Sequence, residues 1–295
     1  MEAIAATLQE CVHRALAEDL GGDLADLDAD VTSRIALPAH CRGRARLLAK
    51  SNGVLAGSAC ALAAFTALDP LAKCELRKRD GERFVRGDLV LEVEGEMRAL
   101  LAAERTALNF IQRLSGVATL TRAFVEAVSG TGARILDTRK TTPGLRSLEK
   151  AAVVSGGGHN HRFGLHDQVL LKENHFGFAR PATYEEVVRK CVREQALPVV
   201  AEARTVAEAE AAVRGGAAIV LLDNFAPGPL LQAAVAAVRT LAKQLGRSVL
   251  TEASGGVDLA TVRAFADTGV DRISIGALTH SAPAADLSLL VEGVA

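Results

Sequence analysis

The chain has no excess of charge: 34 lysines and arginines face 35 aspartates and glutamates, a formal net charge of −1. That balance argues against the broad positive field used to bind nucleic acid or an anionic membrane surface, and neither partner is expected. Long apolar runs are missing too. Charge or glycine interrupts every hydrophobic stretch well short of the roughly 18 residues that a membrane span needs. The stretch Met1 to Arg14 carries Glu2 and Glu10 in an amphipathic spacing, not the basic start and apolar core of a secretory signal. The cysteines, at 11, 41, 60, 74 and 191, are odd in number and contain no C-x-x-C pair. They read as reduced thiols rather than disulfides or structural zinc ligands, and the expected compartment is the cytoplasm.

Against this sparse background one window is crowded. Arg139, Lys140, Arg146, Lys150, His159, His161, Arg162, His166, Lys172 and His175 fall within it, including four of the seven histidines. They are interleaved with the flexible run Gly156-Gly157-Gly158 and with two apolar, strand-like stretches. Such a local density of cations points to a small molecule with several negative charges.

Periodicity divides the chain. Residues 1 to about 20 read as a helix, closed by the turn Asp19-Leu20-Gly21-Gly22-Asp23 and followed by a loop. Short strands are expected around Ala45 to Ala49, Gly53 to Gly57, Cys74 to Arg79 and Asp88 to Val93, with a helix over Ala59 to Ala67. From Met97 to Val128, Leu100, Leu101, Ala107, Leu108, Ile111, Leu114 and Val117 form the buried stripe of a long helix, read as a bridge between domains.

After Gly130 strand, loop and helix repeat. Strands are expected at Arg134 to Thr138, Gln168 to Lys172, Pro198 to Glu202, Ala218 to Asp223, Ser248 to Glu252 and Arg272 to Gly276. Alanine-rich helices lie between them, and Thr183 with Glu186 and Thr205 with Glu208 have capping-box spacing. Val, Ile and Leu runs joined by helical crossovers predict parallel strands buried on both faces. The expected fold class is α/β: an incomplete parallel α/β barrel of about six or seven units, preceded by an α/β open-sheet sandwich domain.

The polar residues keep step with that rhythm. Asp137, Arg139 and Lys140 follow the first strand; Lys172, Glu173, Asn174 and His175 the second; Glu202 the third; Asp223 and Asn224 the fourth; Glu252 and Ser254 the fifth. At a barrel's C-terminal face such residues share one mouth. Each has a plainer reading. Arg139-Lys140 could be a solvated turn, Glu202 and Asp223 could cap helices or form ion pairs, and the glycine loops at Ser254-Gly255-Gly256 and Gly276-Ala277 could be ordinary tight turns. At the mouth the acids could instead accept bonds from sugar hydroxyls, help to position magnesium, or stabilise positive charge, and the glycine loops could offer N–H groups to phosphate. His159-x-His161 has the residue type of a metal site, but the adjoining Arg162 opposes a divalent ion. Lys172 suits an anion clamp or a Schiff-base nucleophile, and its cationic surroundings favour the clamp.

Several longer motifs carry a resemblance. Glu104 to Phe110, Gln112 to Gly116, Thr138 to Arg146, Gly156 to Arg162, Lys172 to His175, Ser254 to Gly256 and Ser274 to His280 resemble the quinolinate phosphoribosyltransferases (nicotinate-nucleotide pyrophosphorylases), a type II phosphoribosyltransferase family. The likeness runs from Glu18-Asp19-Leu20 to Asp286 to Leu289 and departs from the family pattern in the longer Gly21 to Thr32 segment and at Ala285. It implies a sandwich domain over 1–115 joined by the tail 281–295, a barrel over 116–280, and a head-to-tail homodimer with shared active sites, further assembly being left open. It further implies that Arg105, reaching into the partner's site, acts with Arg139, His161, Arg162 and Lys172 to hold quinolinate. Lys140, Glu202, Asp223, Ser254, Gly255, Gly256 and Gly276 would hold phosphoribosyl pyrophosphate with Mg2+, contacted by Glu202 and Asp223 directly or through water. Lys140, Glu202 and Asp223 would be catalytic. The reaction implied is phosphoribosyl transfer to quinolinate with decarboxylation, in NAD biosynthesis. The rivals are a related type II enzyme acting on nicotinate or another acid, an aldolase using Lys172, and a non-catalytic anion-binding barrel. An apolar strand ending in two adjacent acids, the mark of the doubly wound phosphoribosyltransferases, is absent.

Overall fold

The computed structural model describes residues 2–22, 24 and 26–293. The expected turn at Asp19 to Asp23 and the longer Gly21 to Thr32 segment therefore lie partly outside the described residues, at Asp23 and Ala25. The first elements in chain order are α1 (Glu2–Asp19), a 3-10 turn (Leu27–Ala29), α2 (Val31–Ala36), β1 (Arg42–Ala49), β2 (Gly53–Val54), α3 (Ser58–Leu68), β3 (Lys73–Leu76), β4 (Arg83–Phe84), β5 (Leu89–Glu96) and α4 (Met97–Ala127). There follow β6 (Arg134–Leu136), α5 (Arg146–Ser155), β7 (Val169–Leu171), α6 (Glu173–Phe178), α7 (Tyr184–Glu194), β8 (Val199–Ala203) and α8 (Val206–Gly215). The last are β9 (Ile219–Asp223), α9 (Pro229–Gln244), β10 (Leu250–Ser254), α10 (Val262–Asp267), β11 (Arg272–Ser274), α11 (Ala277–His280) and β12 (Leu287–Gly293).

Where a loop is expected after α1, Asp30 starts a short helix: its Oδ1 accepts the N–H groups of Thr32 and Ser33, each at 3.1 Å. Those bonds satisfy two of the donors that a helix start leaves open. At α7 the Thr183 hydroxyl accepts the Glu186 N–H, and the Glu186 carboxylate accepts the Thr183 N–H at 2.7 Å, a complete capping box. At α8 only half the box forms, because the Glu208 carboxylate takes the N–H of Arg204 instead.

Two compact units emerge: Met1–Arg122 with Thr141–Gly157 and Thr279–Ala295, and Ala123–Lys140 with Gly158–Leu278. The resemblance implies 1–115 with the tail 281–295 against 116–280; the structure divides the chain at Arg122 inside α4, and besides the tail it groups α5 with the first unit, where it packs on α1.

The first unit contains an antiparallel sheet in the order β12-β1-β5-β3. Alternation along β1 buries Gly43, Ala45, Leu47 and Ala49 and turns Arg44 and Arg46 outward. These pair across the register with Glu94 and Glu92, so the open face is a lattice of opposite charges. On α4 the expected stripe is buried except for Leu101, which is half-buried. The tail leading to β12 docks on this helix at Gly116, where a Cβ would come within 2.0 Å of the Pro283 carbonyl oxygen. Arg113 and Glu149 make a deeper junction. The Arg113 guanidinium donates to Glu149 Oε1 and to the carbonyls of Ala282 and Thr279, while Glu149, fully buried, also accepts the N–H and hydroxyl of Thr142.

The second unit is a six-stranded parallel sheet in the order β6-β11-β10-β9-β8-β7, flanked by crossover helices. With β6 and β7 at its two edges, it is an incomplete α/β barrel. Replacing Glu149 by Gln removes the buried charge of a half-buried pair and should lower the unfolding free energy by about 3 kcal/mol in urea denaturation.

Candidate active site

Parallel register decides which side chains meet. Leu170 pairs with Val200, Val200 with Ile219, and Ile219 with Leu250, so all four share one face of the sheet. With Leu221 they form an apolar cluster inside the barrel. Because side chains alternate, the next residues on that face are Lys172, Glu202, Leu221 and Glu252, and beyond them Asp223, Ser254 and Ser274. An apolar plug is thus topped by a polar layer at the strands' C-terminal ends. Glu252 departs from expectation: it lies in mid-strand, one step below the mouth, and is fully buried.

The segment after Gly158 is zipped onto the free edge of β6. His159 donates its N–H to Ile135 O at 2.9 Å, and its carbonyl accepts from Asp137 N at 3.1 Å. The buried Asp137 carboxylate then takes the His161 N–H at 2.8 Å. From here the chain runs to β7 at the opposite edge, carrying His161 and Arg162 between the two edge strands. Arg162 donates to the Gln168 carbonyl at 3.2 Å. Its pKa is lowered, first by burial and then by the neighbouring Arg139 guanidinium, with Asp167 opposing both. Two guanidinium groups are therefore crowded beside the mouth. Asp167 clamps the turn by accepting from Phe163 N at 2.6 Å and Gly164 N at 3.1 Å.

Lys172, exposed, stands at the start of α6, where the His175 imidazole accepts its backbone N–H at 2.9 Å. His175 is thus a capping group. Glu202 and Asp223 are both half-buried and face the mouth from neighbouring strands. Tyr184 donates its hydroxyl to the Glu202 carbonyl at 2.7 Å and stacks on Phe176, centroids 3.8 Å apart; burial, then Glu208 and Glu202, push its pKa up. Arg204, which the sequence reading passed over, ion-pairs with Glu173 at 2.5 Å and lies in the field of Glu202 and Asp223, which raise its pKa after the Glu173 bond and charge. Its signal was positional: it comes two residues after Glu202.

Asn224 sits at φ 58° and donates its side-chain amide to Asp223 Oδ2 at 2.8 Å. Gly255 and Gly256 follow β10 at φ 98° and 62°. A Cβ on Gly255 would fall 2.2 Å from Asn224 Oδ1, so glycine is required there by both backbone and space. Among the described residues neither glycine gives its N–H to a backbone carbonyl, which leaves both donors for an anion. Gly276 lies just ahead of α11.

The crowded window thus divides. Arg139, Lys140, His161, Arg162 and Lys172 belong to the barrel unit, together with Glu202, Asp223, Ser254, Gly255, Gly256 and Gly276. Arg146 and the buried Lys150 lie on α5 in the first unit, where Arg146 donates to Thr141 Oγ1 at 3.0 Å. Arg105 is exposed on α4, also in the first unit. Among the described residues no cluster of three or more His, Cys, Asp or Glu could cage a metal, and no helix is long and apolar enough to cross a membrane.

Two family models match the chain: the quinolinate phosphoribosyl transferase N-terminal domain over residues 30–115 and the C-terminal domain over residues 117–290. A probable nicotinate-nucleotide pyrophosphorylase (carboxylating) of Bacillus subtilis is 39% identical over 285 residues, 96% of this chain and 92% of that protein. The nicotinate-nucleotide pyrophosphorylase (carboxylating) of Mycobacterium leprae is 39% identical over 288 residues, 95% and 96% of the two chains. The structure of the nicotinate-nucleotide pyrophosphorylase of Francisella tularensis superposes with a TM-score of 0.88 at 35% identity, covering 98% of this chain and 97% of that one.

The Asp167 clamp has a consequence in acid. Burial raises the pKa of its carboxyl, but the Phe163 and Gly164 N–H bonds and the His166 charge outweigh this, and the net shift is downward. A depressed folded-state value means that the clamp's contribution is complete above the unfolded carboxylate range, about 4. It is lost as pH falls through the lower folded value. Asp167→Ala should remove it at every pH, seen as faster hydrogen exchange at the Phe163 and Gly164 amides near neutrality.

Proposed function

Since the chain belongs to the quinolinate phosphoribosyltransferase family, we propose that it transfers the phosphoribosyl group of phosphoribosyl pyrophosphate to quinolinate and releases carbon dioxide. The products are nicotinate mononucleotide and pyrophosphate, a step of NAD biosynthesis. The observation that carries this reading is the crowding of Arg139 and Arg162, whose mutual repulsion a dicarboxylate would relieve.

Arg139, Arg162 and Lys172, with His161 beside them, form the quinolinate pocket; Arg105 completes it from the partner subunit of a homodimer. Guanidinium forks match carboxylates in two places at once and so fix the ring's orientation as well as its charge. Lys140 takes the donor's phosphates, joined by the N–H groups around Ser254, Gly255, Gly256 and Gly276. Glu202 and Asp223 lie nearest the ribose.

Attack by the pyridine nitrogen on the ribose carbon expels pyrophosphate through an oxocarbenium-like transition state, whose positive charge the carboxylates of Glu202 and Asp223 stabilise. The ribosylated ring nitrogen is cationic. Its charge stabilises the electron pair left on the adjacent ring carbon when the carboxylate there departs as carbon dioxide, and that carbon then takes a proton from water, so no covalent enzyme intermediate is needed. Two half-buried carboxylates on neighbouring strands suit magnesium, which prefers one or two protein oxygens and completes its shell with phosphate and water. Bound there with the donor, the ion would neutralise charge on the departing pyrophosphate. The compartment proposed is the cytoplasm.

Incubation with quinolinate, phosphoribosyl pyrophosphate and magnesium should yield nicotinate mononucleotide and carbon dioxide, and chelation should abolish both. Turnover with nicotinate and no carbon dioxide release would identify a related acid as the substrate instead. Arg139→Ala and Lys172→Ala should each raise the quinolinate KM by about 10- to 100-fold and leave the donor KM nearly unchanged. Glu202→Ala or Asp223→Ala should lower kcat.

A further inference from the structure

Glu252 is fully buried on the inner face of β10, and among the described residues neither of its carboxylate oxygens has a hydrogen-bond partner. In register it lies between Leu221 of β9 and Arg272 of β11. A carboxyl in such a place weakens the fold unless another group makes use of it. It faces His161, whose Nε2 stands 3.3 Å from Glu252 Oε1, close enough for an ion-pair contact though not aligned as a hydrogen bond.

The rest of His161 is already committed. Its backbone N–H goes to Asp137, and its Nδ1 accepts the backbone N–H of Arg162 at 2.7 Å. An amide N–H can only donate, so Nδ1 is the lone-pair nitrogen and the ring's hydrogen resides on Nε2, the nitrogen nearer Glu252. The ring links the buried acid to the amide of Arg162, whose guanidinium is tied in turn to Gln168 O.

We propose that Glu252 and His161 are positioning residues: Glu252 holds His161 in its Nε2–H form, and the ring fixes the backbone from which Arg162 reaches the substrate. The inference rests on the dicarboxylate reading of the pocket and deepens it. The charges that grip the anion are those of Arg139, Arg162 and Lys172, and His161 serves by holding Arg162 instead of touching the carboxylate.

Nitrogen-15 NMR of the histidine-labelled protein tests the ring directly, with the His161 signals assigned by their loss in His161→Asn. One protonated and one lone-pair nitrogen, unchanged on saturation with quinolinate, is the expected result. An imidazolium pattern, or a proton on Nδ1, in either state overturns the proposal. Kinetics supply the second arm. Glu252→Leu, which fills the space without an acceptor, should raise the quinolinate KM about tenfold and leave the donor KM unchanged, and Glu252→Gln, which keeps an acceptor for Nε2–H, should recover most of that loss. An unaltered quinolinate KM in Glu252→Leu, or equal changes in both KM values with no recovery by Gln, would refute it. If Glu252→Leu does not fold, the spectra of the unmodified protein decide. Should calorimetry detect no quinolinate binding at all, the dicarboxylate reading fails, while the ligand-free spectrum still decides the state of His161.

Discussion

Cations do not gather at one place unless something forces them to. At the mouth of this barrel the forcing is done by the backbone, through bonds that carry no net charge of their own. The segment bearing His161 and Arg162 is laced to the edge of β6 by main-chain bonds and to buried Asp137 by the His161 amide. The guanidinium of Arg162 is then drawn to Gln168 O, within the field of Arg139. The repulsion is thus built in before any substrate arrives, and a dianion bound as proposed would relieve it. Affinity of this kind requires a rigid frame, since a floppy one would let the two charges drift apart.

That frame depends on the sheet being open. A closed barrel has no free edge, whereas β6 and β7 each leave one side unpaired by a strand. The stretch from Gly158 to Gln168 occupies the interval, using the edge of β6 as its anchor and Asp167 as its internal clamp. The usual liability of an exposed edge becomes the place where the loop is fastened. At the strand ends carrying Glu202 and Asp223 the local order comes from Tyr184, Asn224 and the two left-handed glycines.

Much of this could be read in the sequence because parallel strands declare themselves as short runs of Val, Ile and Leu, and the polar residue at the end of each run falls at the mouth. The strand positions were legible for that reason, although Arg134 to Thr138 narrows to Arg134–Leu136 and Ser248 to Glu252 shifts to Leu250–Ser254. The shift matters, since it moves Glu252 from the rim to the interior. Other features depended on partners that no one-dimensional pattern identifies. The role of Glu252 lies in its contact with His161, ninety-one residues earlier by number, and α6 is capped by a histidine acceptor outside the usual capping vocabulary. Asp30 stands in the run Asp-x-Thr-Ser, but the helix it starts is only six residues long and has no period to detect, so a loop is expected there.

The chain contains no tryptophan and a single tyrosine, and that tyrosine is Tyr184. It stacks on Phe176 of α6 and bonds to the carbonyl of Glu202, so one ring joins the helix that follows Lys172 to the strand carrying a proposed ribose contact. All of the protein's tyrosine-type absorbance and emission therefore originates at the rim of the barrel. Where most enzymes return a blurred optical average over several chromophores, this one reports from a single address.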